Sequence, residues 1–261
     1  MARQSGDGLP VWYDLISIDP QTTDTFYTEL FGWDVDAVSD RENGYRYFDN
    51  DIEAFGGTLP IDASMGASTW ATYFQVTELD ELTANAEKLG ASIYVPRTSV
   101  PEIGDWAFLA DPTGAPFYLF ELDPQRRWQS TGYHTGHGHV IWNELITTDV
   151  AGATDFYRQL LGWELVPTAP GQNPYTVAKV DGSPVGGLFQ PATPPAHSMW
   201  IVSFETGDID ATIDRVRKLG GTVVHPANTV PGIGRTAWVA DPTGAVFGLM
   251  QPEPGWLDRL A

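Results

Sequence analysis

FYTELFGW (residues 26–33) returns as FYRQLLGW (156–163), and DPTGAPFYLFE (111–121) returns as DPTGAVFGLMQ (241–251), both at a spacing of 130 residues. Carried outward at that shift without a gap, residues 11–123 match 141–253 at 35 of 113 positions, far more than chance allows. Trp12/Trp142, Gly56-Gly57/Gly186-Gly187 and Leu89-Gly90/Leu219-Gly220 are among the matched pairs. The chain therefore reads as a tandem duplication. Between Pro124 and Gly138 periodic apolar residues give way to Gly and polar ones, which places a boundary near residue 130 and predicts domains 1–130 and 131–261.

Within the first repeat, WYDLISI (12–18) is short and rich in β-branched and aromatic residues, as a strand requires. A helical pattern carrying Phe26, Tyr27, Leu30 and Phe31 follows, with Asp19 placed to cap its start and Gly32 its end. Three short strands are predicted near 35–38, 45–48 and 55–59, with Asn43-Gly44 as turn chemistry between the first two. The order then recurs as strand 69–76, helix 79–89, and strands 92–95, 106–110 and 117–121. Each repeat holds two βαβββ modules, giving an α+β chain of two tandem repeats. A strand that sends its helix across one face leaves the other uncovered, so two modules side by side form an open half-barrel cup with a concave binding face.

A length of 261 residues suits two domains, and 42% hydrophobic with 12% aromatic content supports packed cores. Fourteen basic against 34 acidic residues give a formal charge of −20, which repels phosphate backbones and anionic headgroups, so neither nucleic acid nor membrane is an expected partner. The absence of cysteine excludes disulfides, thiolate metal sites and a Cys nucleophile. MARQSGDGLPVW lacks an apolar signal core and no stretch is long and apolar enough to span a bilayer, so a cytoplasmic location is expected.

The four βαβββ units, with FY…GW after a strand ending in Asp, LG at the second helix end and the DPTGA runs, resemble the vicinal oxygen chelate superfamily: glyoxalase I, bleomycin-resistance proteins and extradiol dioxygenases. WxDL and WxEL first strands and the loop VPGIGR (230–235) are similar to its two-domain actinobacterial branch. Enzymes of that superfamily typically hold a divalent metal through His on the first strand of each module and Glu on the last. Here the resemblance places Trp12 and Trp142 at the first-strand position. The fifth-strand position falls on Ala71 and Ile201, or on Trp70 and Trp200 if the register slips by one, and the final Glu position on Tyr118 and Gly248. The fourth strands end at Pro60 and Gln190, of which only Gln is even a weak ligand. No metal and no other cofactor is expected at the customary positions. Two displaced sites remain conceivable: His134, His137 and His139 in the linker, or Asp14 or Glu144 with His197 or His225.

Strand alternation sets Trp12, Asp14 and Ile16 on one face, with Trp142, Glu144 and Ile146 equivalent. The resemblance makes that face the cup, joined by Ala71, Tyr73, Gln75 and Tyr118 in the first repeat and by Ile201, Ser203 and Glu205 in the second. The expected ligand-binding set is Trp12, Asp14, Trp70, Tyr73, Tyr118, Trp142, Glu144, Trp200 and Glu205. Trp12 and Trp142 read equally well as core plugs. An acid in mid-strand facing a concavity costs free energy unless solvated, paired or used, and Arg46 or Arg235 as partner would make it structural. The loops 96–106 and 226–236 are expected either as ordered surface loops or as rims over the cups.

Such a lining suits a small aromatic metabolite or antibiotic, with a cationic or hydrogen-bond-donating group for the acid. Metal-independent sequestration, as in the bleomycin-resistance branch, is the preferred reading. The alternatives are an enzyme of secondary metabolism (lyase, isomerase or tailoring) with Asp14 or Glu144 as general base, and a glyoxalase-like or dioxygenase-like metalloenzyme with displaced ligands. No GxSxG, HExxH or P-loop motif is present. Duplication supplies internally what single-repeat relatives obtain by dimerising, so a monomer built as an internal pseudo-dimer is expected.

Overall fold

The computed structural model describes residues 6–37, 44–50, 52–123, 135–168, 175–193 and 195–260. The first repeat runs β1 (Pro10–Ser17), α1 (Pro20–Phe31), β2 (Asp34–Ala37), β3 (Arg46–Asn50), β4 (Glu53–Pro60), β5 (Thr69–Gln75), α2 (Leu79–Lys88), β6 (Ser92–Val100), β7 (Gly104–Ala110) and β8 (Pro116–Leu122). The second runs β9 (Val140–Ile146), α3 (Val150–Leu161), β10 (Glu164–Pro167), β11 (Tyr175–Val180), β12 (Ser183–Phe189), β13 (Met199–Glu205), α4 (Ile209–Lys218), β14 (Thr222–Val230), β15 (Gly234–Ala240) and β16 (Val246–Pro252). Asp19 caps α1 by accepting from Thr22 N, and Gly32 ends it in the left-handed region at φ 80°. The junction expected near residue 130 and the Asn43 half of the predicted turn lie outside the described residues.

Each repeat makes one eight-stranded sheet, in the order β2-β3-β4-β1-β5-β8-β7-β6 and its equivalent in the second repeat. The two modules of a repeat join through the antiparallel pairs β1–β5 and β9–β13, so each cup forms within one repeat. The other faces of the two sheets share their cores. Phe74, Phe117 and Leu119 pack in one cluster with Phe156, Tyr157 and Trp163. Phe26, Tyr27 and Trp33 do the same with Val202, Phe204 and Phe247.

Hydrogen bonds between repeats tie this core at related positions. Tyr27 OH donates to Asp241 (3.3 Å) and Tyr157 OH to Asp111 (3.1 Å). Trp33 Nε1 donates to Gly138 O and Trp163 Nε1 to Gly8 O. The DPTGA turn is thus an anchoring device as well as a bend: Asp111 Oδ1 also accepts from Thr113 N, Thr113 Oγ1 and Ala115 N.

Two expectations need correcting. Trp70 and Trp200 do not reach the cups. They point to the shared core, buried, each with its Nε1 donating to the hydroxyl of Tyr27 or Tyr157. The strands hold the unslipped register, with Ala71 opposite Asp14 and Ile201 opposite Glu144. The stretches 96–106 and 226–236 are mostly strand: β6–β7 and β14–β15 are long hairpins with short turns at 101–103 and 231–233. Pro96 is tolerated because β6 is an edge strand, where a missing N–H breaks no ladder.

Candidate functional site

In the first cup the structure gathers Trp12, Asp14, Tyr73 and Tyr118. Asp14 is 5% exposed, and both its oxygens accept hydrogen bonds: Oδ1 from Trp12 Nε1 (2.9 Å) and Tyr45 OH (2.5 Å), Oδ2 from Tyr73 OH (2.7 Å). Burial and the neighbouring carboxylate push the phenols of Tyr45, Tyr73 and Tyr118 well above their ordinary range, so they stay protonated as donors. The rings form a row across β5, β8 and β7 beside the acid. Tyr73 stacks on Tyr118 at 4.3 Å, Tyr118 on Phe108 at 4.5 Å, and Trp106 closes on Tyr118 at 5.6 Å.

The second cup repeats the frame with smaller side chains at three positions. Trp142 Nε1 donates to Tyr175 OH (2.7 Å), which donates to Glu144 Oε1 (2.9 Å), as Trp12 Nε1 also donates to Tyr45 OH (2.9 Å) beside Asp14 in the first cup. The 130-residue shift, however, puts Ser203 at the place of Tyr73, Gly248 at that of Tyr118 and Thr236 at that of Trp106. A cavity of about 850 Å³ opens beside Ser203 and Thr236, within the range typical of small-molecule sites. A Cβ at Gly248 would lie 2.0 Å from Ser203 Oγ, so a larger residue there requires Ser203 or its strand to move.

Glu144 lines this cavity half-buried, and among the described residues its Oε2 receives no hydrogen bond. Burial pushes its carboxyl up to about 7 against the partial relief of the Tyr175 hydrogen bond, so it changes charge near neutrality. The walls are aromatic. Tyr175 stacks on Phe189 (5.9 Å), Trp238 faces His225 (5.6 Å), and Trp256 meets Trp142 edge-on (5.5 Å). Among the described residues, His225 and Arg259 are the other charged or ionising groups on its lining besides Glu144 and Tyr175.

Glu205 does not join this lining. At the end of β13 its Oε2 accepts from Gly136 N in the inter-repeat segment, where it braces the chain. Neither expected arginine pairs with a cup acid: Arg46 binds Asp24 (2.8 Å) and Arg235 binds Asp210 (2.6 Å). Sequence reasoning missed Tyr175, Phe189, Trp238 and Trp256. The matched pair Tyr45/Tyr175 was a usable signal, whereas Trp256 lies beyond the repeat and carried none.

The superfamily's divalent metal does not fit this donor set. Trp12 and Trp142 offer indole, Ala71 and Ile201 alkyl groups, Gly248 nothing, and Tyr118 a phenol held protonated. Among the described residues no three His, Asp or Glu side chains gather as a metal group. Of the linker histidines, His137 Nε2 lies 3.3 Å from Leu30 O and its ring packs on Phe31, and His134 lies outside the described residues. His225 shares the second cavity with Glu144, while His197 is exposed.

Two paired half-barrel sheets with aromatic, donor-poor cups define a tandem protein of the vicinal oxygen chelate type. A family profile described as "Glyoxalase-like domain" matches residues 141–250. The Mycobacterium tuberculosis protein named "Putative glyoxylase CFP32" is 32% identical over 95% of this chain and 96% of its own length. The Streptomyces sp. (strain C5) "Anthracycline biosynthesis protein DauV" is 33% identical over 94% and 93%. Among solved structures, the Mn(II)-bound glyoxalase from Novosphingobium aromaticivorans superposes with TM-score 0.64 at 14% identity over 98% of this chain and 91% of that one. The 2,3-dioxygenase LapB from Pseudomonas sp. KL28 gives 0.63 at 15% over 96% of each. The chain belongs to the glyoxalase-like family of the vicinal oxygen chelate superfamily. At such identities the two structures speak for the fold alone. No helix among the described residues is long and apolar enough to cross a membrane.

Proposed function

We propose that the second cup binds a flat aromatic small molecule without a metal, its rings between the aromatic walls and a cationic or donor group on Glu144. The observation that carries this is a cavity bordered by the small side chains of Ser203 and Thr236, where the first repeat has Tyr73 and Trp106, around a carboxylate oxygen that receives no hydrogen bond among the described residues. Relatives named for anthracycline biosynthesis favour fused planar rings, since an anthracycline is itself such a ring system. The chain's net charge of −20 favours a cation over an anion. Calorimetric titration with 9-aminoacridine, a planar aromatic cation, is expected to give one site per chain, unchanged after exhaustive chelation. No binding, or binding that chelation removes, refutes the reading.

Glu144 makes that binding depend on pH. The carboxylate attracts a cation and the neutral acid does not, so affinity for 9-aminoacridine is expected to rise about tenfold between pH 6 and pH 8. Glu144→Gln should flatten the curve. Stability moves the opposite way. Below pH 4.5 the group is protonated folded or unfolded and contributes nothing. Between 4.5 and about 7 the native state keeps a proton that the unfolded chain has released, so stability falls as pH rises. Above 7 the loss is complete, at most about 3 kcal/mol. Glu144→Gln is therefore expected to melt with the wild type near pH 4.5 and above it at pH 8; equal melting at both values contradicts this.

A second reading is favoured by the same group. A carboxyl titrating near 7 beside a bound aromatic is suited to general acid–base work. Turnover of a ring-bearing substrate, abolished in Glu144→Gln while binding persists, is the result that would select it. Asp14 is poorly placed for that role, because taking a proton would disrupt its three hydrogen bonds.

A further inference from the structure

The sheet does not complete the second cup by itself. After β16 the chain turns through Gly255, in the left-handed region at φ 70°, and lays residues 256–260 against the cavity. Trp256 is 7% exposed and shares a cluster with Ile141, Trp142 and Met250, with Leu257 and Leu260 packed behind it. Its indole stands at 77° to that of Trp142. Arg259 pins the segment to the β14–β15 turn. Its Nη1 donates to Gly232 O and approaches Glu253 (3.4 Å), and Nη2 donates to Pro254 O (3.3 Å). Gly232 and its neighbours Pro231 and Ile233 themselves line the cavity, so one arginine couples strap and rim. At the 130-residue shift the position of Trp256 holds Arg126, so this wall is no part of the repeated frame.

We propose that Trp256 is a specificity-determining residue of the second cup, setting which ring systems it accepts, and that the segment bearing it is a strap latched by Arg259. This rests on the second cup being the ligand site. Glu144 and Ser203, on β9 and β13, handle a polar group whatever the size of the ring system. Trp256 and Trp142 offer two indoles at right angles, a contact that only an extended ring system fills and that gains from edge-to-face geometry. Ligand exchange then requires the strap to lift from the turn at 231–233, which the Arg259 bonds oppose.

The test compares 9-aminoacridine with 4-aminopyridine, which carries the same aminopyridinium group on one ring. The wild type should prefer the three-ring probe. In Trp256→Ala that preference should fall about 30-fold, the loss expected of a central aromatic contact. The affinity for 4-aminopyridine should stay within about twofold, which also shows the cup intact. Trp256→Phe, a gentler change to the buried cluster, should lose about threefold of the preference. Stopped-flow release of 9-aminoacridine should quicken about fivefold in Arg259→Ala. A preference unchanged in both Trp256 variants, or equal weakening for both probes, overturns the assignment of Trp256. An unchanged release rate overturns the latch. If the wild type binds neither probe, the ligand-site reading itself fails, a different result from binding that ignores Trp256.

Discussion

Asp111→Ala is expected to cost about 4 kcal/mol of folding stability, enough to lower the melting temperature by some 10 °C in a chain of this size. The side chain is 3% exposed and receives four hydrogen bonds, two of them from backbone N–H groups of its own turn and one from Tyr157 of the other repeat. Alanine leaves the Ala115 N–H and the Tyr157 hydroxyl buried without that acceptor, and their desolvation is then uncompensated, while the part-buried Thr113 donors lose their partner as well. The loss should propagate, because Tyr157 OH also accepts from Trp200 Nε1 in the shared core. Asp111→Asn keeps an acceptor for the turn and should cost only about 1 kcal/mol. Burial already holds the Asp111 carboxyl above its ordinary range, so a neutral group is tolerated there. Differential scanning calorimetry checks both values. It should also show one transition, since the bond crosses repeats. A separate low-temperature transition in Asp111→Ala would mean that the repeats are energetically independent.

Refilling the second cup should abolish its binding. Ser203→Tyr with Gly248→Tyr restores the pair that stacks at 4.3 Å in the first cup as Tyr73 and Tyr118. The rings would occupy the space over Glu144, and the phenol introduced at position 203 could donate to the carboxylate's second oxygen as Tyr73 does to Asp14 Oδ2. Affinity for 9-aminoacridine is expected to drop at least about 100-fold, the loss when a cavity's central contacts are removed. The cost in stability should be about 1–3 kcal/mol, because a Cβ at 248 meets Ser203 Cβ at 2.9 Å and the strands must shift slightly. Circular dichroism separates that strain from unfolding. Binding within about threefold of the wild type would place the ligand elsewhere on the chain.

The βαβββ order was legible because local chemistry and periodicity agree in it. Asp19 caps and Gly32 ends α1, the buried positions Phe26, Tyr27, Leu30 and Phe31 lie on one helical face, and the pattern recurs 130 residues on. Trp70 was ambiguous for a physical reason. TWATYF is apolar on both faces, one packing the shared core and the other the cup, so alternation does not say which is which. The β6–β7 and β14–β15 hairpins were hidden by Pro96, Pro101 and their counterparts, which read as loop until the edge position of the strand is known. Among site residues, Trp12, Asp14, Tyr73 and Tyr118 meet as alternation places them, and so do Trp142 and Glu144. Glu205, at a strand end, is drawn to the linker by Gly136 N.

By itself the sequence determined the duplication, the order of elements in each copy, the carboxylate at the centre of each concave strand and the loss of metal donors from the superfamily's positions. These follow from residue identity and short-range spacing, which need no knowledge of what lies opposite. Only the tertiary structure decided that each cup closes within one repeat, that the repeats exchange hydrogen bonds through Asp111 and Asp241, that a cavity opens over Glu144, and that Asp14 is held by three hydrogen bonds. Those depend on which strands pair and how much volume facing side chains leave between them, and contacts across 130 residues leave no local trace in the chain.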